Sequence, residues 1–197
     1  MTMTQIGTII GPADNGKRMT LDEFELAEGA EGRLYELSRG VVIVTDVPNP
    51  PHPGIVAYLR DHLGAYRIAN PSLLRFVLGG SECKLLIDPT QAERHPDIAC
   101  YKTSMPGGDS SMWSDWVPEL VIEVVSADSA ERDYNEKAED YLLFGVREYW
   151  VVDAMARRIR IHRRRSGRWQ IQDVSTGTYT THLLPGFVLD VAATLAA

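Results

Sequence analysis

The sequence predicts an α/β (α+β) fold in which a central mixed β-sheet is flanked by helices and extended at the C-terminal end by antiparallel strands. Apolar runs of strand composition alternate with segments whose apolar residues follow helical spacing. Residues 118–126, PELVIEVVS, are apolar enough for a strand covered on both faces. With 197 residues, 44% of them hydrophobic, the chain can build one sizeable core, and no repeat or linker divides it. We expect a weakly ordered leader over residues 1–18 and one domain over residues 19–197.

Three helices are predicted from caps and apolar spacing. Thr20, with Glu23 three residues later, has the form of a capping box and starts a short helix over LDEFELAE. Apolar residues follow helical spacing across residues 54–65. A third helical pattern runs from Ser129 to Gly145, where the glycine ends the helix.

Strand-like runs make up the predicted sheet. Turn residues at Ser38-Arg39-Gly40, Gly79-Gly80-Ser81 and Ser166-Gly167 each lie between two such runs and predict hairpins. The tail LLPGFVLDVAATLAA predicts a last apolar strand and a short end segment. The other predicted strands cover residues 33–37, 41–46, 73–78, 83–88, 95–102, 118–126, 148–152, 158–162 and 169–174.

The charge of the chain is polarised along the sequence. A net charge of −7 and a pI near 5.2 argue against a protein that coats nucleic acid or an anionic membrane through its overall field. The run RRIRIHRRRSGR, residues 157–168, carries seven arginines and no acid, so −7 minus 7 leaves −14 for the rest. This run is a candidate surface for an anionic partner.

The sequence also indicates the compartment. Cys83 and Cys100 lack CxxC spacing, which is typical of buried free thiols in a reducing environment. The first residues do not form a signal-peptide pattern, and no apolar run approaches the ~18 residues of a membrane span. We therefore expect a soluble cytoplasmic protein without a membrane partner.

Two carboxylates are candidates for chemistry. Glu123 lies inside the apolar run 118–126, where a buried carboxylate needs a cation, a hydrogen-bond donor or a metal as its partner. Asp97 follows Pro96 at the start of another predicted strand. If the two strands are neighbours, the carboxylates converge into a site for Mg²⁺ or Mn²⁺. Acids 26 positions apart fit equally an Asp97 that caps a turn and a Glu123 that pairs with an arginine.

Lys137 borders the apolar stripe of the third predicted helix, between Tyr134 and Tyr141. In one interpretation its stem snorkels along the helix to solvent. In the other, its ammonium reaches Glu123 and an attacking water, and stabilises the charge that builds on a phosphodiester. Asp133, one turn earlier, either orients this ammonium or is an acid favoured by the first turn of the helix.

These segments resemble a known family. PDIACYK, residues 96–102, and PELVIEVVSADSAERDYNEKAEDYLLFGVREYWVVDA, residues 118–154, closely resemble the Uma-two family of putative restriction endonucleases, a bacterial group within the PD-(D/E)XK nuclease superfamily. YELSRGVVIV and PHPGIVAYL resemble the family's N-terminal half, so the resemblance runs from about Thr20 to the C-terminus. It implies a restriction-endonuclease-like fold and a metal-dependent nuclease.

The resemblance assigns roles to single residues. Asp97 matches the metal-binding aspartate of the superfamily, and Glu123 matches the acid of its (D/E)XK element. The lysine of that element would fall at Val125 and is missing. The resemblance gives its role to Lys137 on the following helix.

Further residues extend this implied site. Glu36 matches an N-terminal acid that completes the metal site in related nucleases, although it fits equally a surface position of a hairpin. The backbone carbonyl of Val124 is a further expected metal ligand. His52, at the start of a helix, is expected to touch a phosphate or to be structural. Arg158 and Arg160 would share a face of their strand and contact nucleic acid, or remain a solvated hairpin that pairs with acids or a second subunit.

The expected function is a Mg²⁺- or Mn²⁺-dependent endonuclease that hydrolyses DNA, with Asp97 and Glu123 on the metal and Lys137 positioning the water. The resemblance also suggests a homodimer that forms through the C-terminal strands. A catalytically inactive protein of the same fold, which binds nucleic acid or another partner, is the alternative, because Val125 replaces the usual lysine. Hydrolysis of another phosphoester is a third possibility. The sequence contains no separate module for reading bases.

Overall fold

The structure is a computed structural model and describes residues 8–107 and 112–197. The strands are β1 Ile9–Ile10, β2 Glu28–Gly29, β3 Leu34–Ser38, β4 Val41–Thr45, β5 Phe76–Leu78, β6 Leu85–Ile87, β7 Ala92–Arg94, β8 Ile98–Tyr101, β9 Leu120–Val124, β10 Glu148–Asp153, β11 Arg158–Arg165, β12 Arg168–Val174, β13 Thr178–Thr180 and β14 Val188–Asp190. The helices are α1 Leu21–Glu25, α2 His52–Ala69, α3 Met112–Asp115, α4 Lys137–Phe144 and α5 Val191–Leu195, and a π-helical turn, Arg132–Glu136, leads into α4.

The chain divides into two compact units. The first comprises the residues up to Val47 together with Leu85–Arg94, and the second comprises Pro48–Lys84 and the residues from His95 onward. This division does not follow the predicted boundaries between a leader, 1–18, and one domain, 19–197, so that organisation stays a prediction. Within the first unit, residues 1–7 lie outside the described ranges.

The first unit is built on an antiparallel sheet with the order β4-β3-β7-β6. Arg39 and Gly40, with φ of 52° and 71°, form the tight turn between β3 and β4, as predicted for this hairpin. Thr20 caps α1, and its backbone N–H donates to the carboxylate of Glu23, so the predicted capping box is confirmed. In the described part of the predicted leader, β1 pairs with β2 and buries Ile10.

The predicted second hairpin is wrong. β5 pairs with β8 in the second unit, whereas β6 pairs with β7 in the first. The connecting glycines serve another purpose, because a Cβ on Gly79 would clash with the Asp97 carbonyl oxygen, and Gly80 has a φ of 56°. These residues enter a 3₁₀ turn, Gly80–Glu82, instead of a two-residue hairpin loop. β7 was not predicted, since three residues are too few to show a period.

The second unit contains a six-stranded mixed sheet with the order β12-β11-β10-β9-β8-β5. β9 and β10 are parallel, and the other neighbouring pairs are antiparallel. One face of the sheet, including Ile122 and Trp150, packs in a core that α2 completes with Ile55 and Leu59. Because side chains alternate along a strand, Glu123 lies on the other face. The predicted α/β fold with a mixed central sheet flanked by helices is therefore confirmed.

The C-terminal strands extend this sheet. β11 and β12 form a hairpin through Ser166 and Gly167, whose φ angles are 48° and 75°. β13 and β14 pair in a separate two-stranded sheet, of which the sequence predicted only the second strand. Cys83 and Cys100 are buried free thiols, as predicted. In the described ranges, no helix has both the length and the apolar character to cross a bilayer.

His162 makes the stability of the second unit sensitive to acid. It is 1% exposed in β11 and stacks on Tyr149 with ring centroids 5.2 Å apart. Burial lowers the pKa of His162 to about 4. The unfolded chain, with an ordinary histidine pKa of about 6.5, therefore binds the proton more readily between these values, and stability is lost as the pH falls through this window.

We expect His162→Phe, which keeps an aromatic ring in the same place, to remove this dependence. Between pH 7 and pH 4.5, the wild type should lose about 2 to 3 kcal/mol more unfolding free energy than the variant. Urea unfolding at the two pH values measures the difference. His62→Phe, on the exposed side of α2, is the matched control and should behave as the wild type does. Equal acid losses in wild type and His162→Phe would contradict the prediction.

Candidate active site

Asp97 and Glu123 lie opposite each other at one end of the β8–β9 pair. Ile98 pairs with Ile122 in antiparallel register, so the next step of the register places Asp97 across from Glu123. Residues directly opposite in an antiparallel pair share a face, with Cβ atoms about 5 Å apart. The two strands are thus neighbours, which the metal-site interpretation required.

Asp97 is held by its neighbours through one oxygen. Its Oδ2 accepts a hydrogen bond of 2.8 Å from the Val124 N–H and lies 3.1 Å from His52 Nε2. Its Oδ1 accepts no hydrogen bond from residues 8–107 or 112–197, and the side chain is 22% exposed. Asp97 therefore has a fixed orientation and one carboxylate oxygen available to a ligand.

Glu123 is almost completely buried, at 3% exposure, and has the partners that its burial demands. The Tyr141 hydroxyl donates a 2.5 Å hydrogen bond to Oε1. Lys137 Nζ lies 3.1 Å from the same oxygen. Both partners come from α4, which places this helix on the Glu123 face of the sheet.

Lys137 bridges two carboxylates. Its Nζ is 3.1 Å from Glu123 Oε1 and 3.1 Å from Asp133 Oδ1, and the residue is only 6% exposed. The interpretation in which Lys137 snorkels to solvent is therefore wrong, because the charged end is buried among acids. Asp133 lies one helical turn earlier and contacts the ammonium, as the orienting interpretation expected.

Asp133 is fixed from several sides. Ser129 Oγ donates a 2.5 Å hydrogen bond to Asp133 Oδ2 and accepts one from the Ser126 N–H at 2.9 Å. The Tyr149 hydroxyl donates to the Asp133 carbonyl at 2.7 Å. Burial raises the pKa of Asp133, Lys137 opposes this rise, and the charge of Asp97 adds to it. Asp97 and Asp133 are therefore close enough to share an electrostatic environment.

The charges of this cluster suit a divalent cation. Asp97, Glu123 and Asp133 carry three formal negative charges and Lys137 one positive charge, which leaves −2 in a largely buried place. Among the described residues, no group of three or more His, Cys, Asp or Glu side chains is arranged to hold an ion. Mg²⁺ is usually held by one or two carboxylates and completes its octahedron with water. Asp97, with its available Oδ1, and Glu123 fit that habit.

Two neighbours of Glu123 complete the implied motif. Val124 uses its N–H to hold Asp97, and the role of its carbonyl as a ligand stays a prediction. Val125 is 8% exposed, and its N–H donates to the Val152 carbonyl at 2.9 Å. The position of the missing lysine is therefore an ordinary buried position at the end of β9.

Glu36 lies on β3 in the first unit. Arg94, which is fully buried, donates to Glu36 Oε2 at 3.4 Å and to Ser38 Oγ at 2.7 Å. Glu36 therefore has a cation as a partner within its own unit. Its role as a metal ligand stays a prediction.

Arg158 and Arg160 share one face of β11, as alternation predicted. Both pair with Asp173 on β12, at 3.2 Å and 2.7 Å, and both lie over the Tyr134 ring about 5 Å from its centroid. Arg160 is the largest cause that lowers the pKa of Asp173. The pairing matches the interpretation as a hairpin that neutralises its own acids, and a role in nucleic-acid contact stays a prediction.

The sequence interpretation missed two polar members of the cluster. Tyr141 was assigned to the apolar stripe of its helix, and Ser129 only to the helix start. Tyr141 follows Lys137 by four residues, so both reach the same partner. A buried tyrosine hydroxyl usually has a hydrogen-bond partner, and Glu123 was the available acceptor on the neighbouring strand.

Comparison with known proteins places the chain in a family. The profile of Uma2, described as putative restriction endonuclease, matches residues 21–194. The chain is similar in fold to a crystal structure of a putative nuclease belonging to DUF820 from Anabaena variabilis, with a TM-score of 0.72 and 16% sequence identity over 90% of this chain and 98% of that one. No curated relative matches the chain. Because the matched residues span most of its length, the chain belongs to the Uma2 family of putative restriction endonucleases.

Proposed function

We propose that the chain is an endonuclease that hydrolyses phosphodiester bonds of DNA and depends on Mg²⁺ or Mn²⁺ held by Asp97 and Glu123. One observation carries this proposal. The Lys137 ammonium lies 3.1 Å from the carboxylate of Glu123, and Glu123 lies directly opposite Asp97 on the neighbouring strand. Membership in a family of putative restriction endonucleases supports nucleic acid as the class of substrate.

Lys137 takes the part of the lysine that is absent at Val125. A side chain at 125 would lie on the same face of the strand as Glu123, since side chains alternate. α4 packs on that face and delivers the ammonium to Glu123 from above. The lysine therefore approaches the carboxylate from helix α4 instead of from the strand that carries Glu123.

The residues of the cluster divide the work of the reaction. A bound divalent cation supplies Lewis-acid chemistry and favours the deprotonated form of water. Asp97 and Glu123 would hold the cation, while the Lys137 ammonium would stabilise the negative charge that builds on the phosphoryl oxygens. Asp133 and Ser129 fix the ammonium, and Tyr141 fixes Glu123, so that little reorganisation is needed during the reaction.

The proposal is tested by the conversion of supercoiled plasmid to nicked plasmid. We expect the purified protein to nick DNA with Mg²⁺ or Mn²⁺ and to stop when EDTA is added. Asp97→Asn should lower the rate at least about tenfold, because the amide oxygen can still accept the Val124 N–H but is a weaker metal ligand. Asp61→Asn, an exposed acid on α2, is the matched control.

Equal nicking by wild type and Asp97→Asn would contradict the proposal, because a contaminating nuclease would then explain the activity. Metal binding at this site without cleavage of DNA or RNA would favour hydrolysis of another phosphoester. A protein that neither binds metal nor cleaves would favour the inactive nuclease-fold alternative. Sedimentation of the same preparation tests the expected homodimer.

A further inference from the structure

The second unit contains a basic cavity that the proposed reaction does not use. It has a volume of about 190 Å³ and is lined by Lys102, Arg147, Glu148, the three arginines at 163–165, His182 and Leu183. Five of these residues are positively charged and one is negatively charged, which leaves +4 in a chain whose net charge is −7. The cavity thus concentrates charge of the sign opposite to that of the whole protein.

Some of these cations form the wall of the cavity. Lys102 Nζ donates to the Leu183 carbonyl at 2.9 Å. Arg163 donates to the Tyr179 hydroxyl at 2.9 Å and lies 3.5 Å from Glu148 Oε1. These contacts fix both side chains, so the wall is ordered before a ligand arrives.

The other three cationic side chains of the lining are available to a ligand. Arg147, Arg164 and Arg165 are exposed, and their side chains make no ion pair or hydrogen bond with a residue of the described ranges. This distinguishes them from Arg158 and Arg160 on the same hairpin, which pair with Asp173. Guanidinium groups without a partner match the geometry of phosphate oxygens, to which each can donate two hydrogen bonds.

The cavity lies at the opposite end of the strands from the carboxylates. Glu148, in its lining, pairs with Leu120 at the start of β9, whereas Glu123 lies three residues further along the same strand. At ~3.3 Å per residue, this separates the two levels by about 10 Å along the strand. Glu148 also points to the core face of the sheet, where it accepts hydrogen bonds from Trp150 and Tyr179, whereas Glu123 lies on the other face.

We propose that this cavity binds a backbone phosphate of the nucleic acid, away from the bond that is cut. Arg164 and Arg165 leave β11 on opposite faces, yet both line the cavity, so they and Arg147 would contact the phosphate from different sides. Lys102 and Arg163 would supply the fixed positive field behind it. Such a contact holds a strand in register on the protein but carries no sequence information. The inference rests on the proposed function in one respect, which is the identification of the polyanion as nucleic acid.

The test measures binding in EDTA, where no metal-dependent cleavage takes place. The affinity for a fluorescein-labelled DNA duplex is followed by anisotropy at several salt concentrations. Arg164→Ala/Arg165→Ala should weaken binding at least about tenfold and lower the salt slope by about one, since the lost contact with a single phosphate contributes ~0.9. Arg164→Lys/Arg165→Lys keeps the charge and should retain most of the slope while it loses affinity.

Arg67→Ala/Arg75→Ala is the matched control. It removes two exposed arginines of the same unit, which, like Arg164 and Arg165, have no ion pair within the described residues. If both double variants lose the same affinity and slope, the overall charge explains binding and the proposal is overturned. Inorganic phosphate is a second probe. Its binding to the cavity, combined with DNA affinity that does not depend on Arg164 and Arg165, would overturn the assignment to a nucleic-acid backbone.

Two further outcomes separate the proposals. A wild type that binds DNA through the cavity in EDTA but never cuts it with Mg²⁺ would contradict the proposed function and support this inference. Arginine variants that abolish self-association and leave DNA affinity unchanged would assign the cavity to a second copy of the chain and overturn the inference. Circular dichroism checks that each variant is folded, which is expected because the substituted side chains are exposed.

Discussion

Lys137→Met is expected to lower the rate of metal-dependent plasmid nicking by about 10²–10³, the effect usually seen when a fixed electrostatic group is removed from an active site. Methionine preserves most of the apolar stem and removes only the charge. The proposed metal ligands Asp97 and Glu123 remain in place, so the loss should appear in the maximal rate at saturating metal. Initial rates over a range of Mn²⁺ concentrations measure it.

The same substitution should also destabilise the protein. Lys137 lies between two buried carboxylates, and its loss leaves both without their cation. Removing one partner of a buried ion pair costs about 3–5 kcal/mol. Asp133→Asn/Lys137→Met, which also removes one of the negative charges, should recover part of this stability in urea unfolding and none of the activity.

Recovery of both stability and activity in the double variant would show that Lys137 is structural. Undiminished nicking by a folded Lys137→Met protein would exclude the lysine from the reaction altogether. Lys17→Met, which removes an exposed lysine of the first unit, controls for the change in net charge.

The central sheet could be predicted because its signals are local. The apolar run that became β9, the caps of α1 and the glycine turn between β11 and β12 each depend on a few neighbouring residues. The partner of β5 could not be predicted in this way. Two apolar runs around Gly79-Gly80 look like a hairpin, yet Gly79 permits a close approach to the Asp97 carbonyl, and the second run joins another sheet.

The candidate site was predictable to the extent that its residues are costly to bury. A carboxylate inside an apolar strand needs a partner, which identified Glu123, and a lysine at the edge of an apolar stripe identified Lys137. Tyr141 and Ser129 gave no such indication, because a tyrosine or serine on a helix is ordinary without knowledge of the opposing strand. The charge of the basic cavity could not be predicted either. Whether an arginine is paired depends on whether an acid lies near it on the opposite strand of the hairpin, and the strand register decides this.

A second large effect is expected on thermal stability when metal is added. At a Mn²⁺ concentration a hundredfold above its Kd, binding to the folded state alone adds about 2.7 kcal/mol. For a chain of this length, such a gain corresponds to a rise in Tm of roughly 5–11 °C. The cluster of Asp97, Glu123, Asp133 and Lys137 has a formal charge of −2, and a divalent cation would neutralise it.

The variants should separate binding from catalysis in this experiment. Glu123→Gln and Asp97→Asn should lose the Tm shift, because each removes a proposed ligand, while Asp61→Asn should keep it. Lys137→Met should keep or increase the shift, since the ammonium repels the cation, even though its nicking rate is expected to fall. A shift that survives Glu123→Gln would place the metal elsewhere. A shift lost only in Lys137→Met would be inconsistent with a cation between the carboxylates, because removing a positive charge cannot weaken its electrostatic attraction to them.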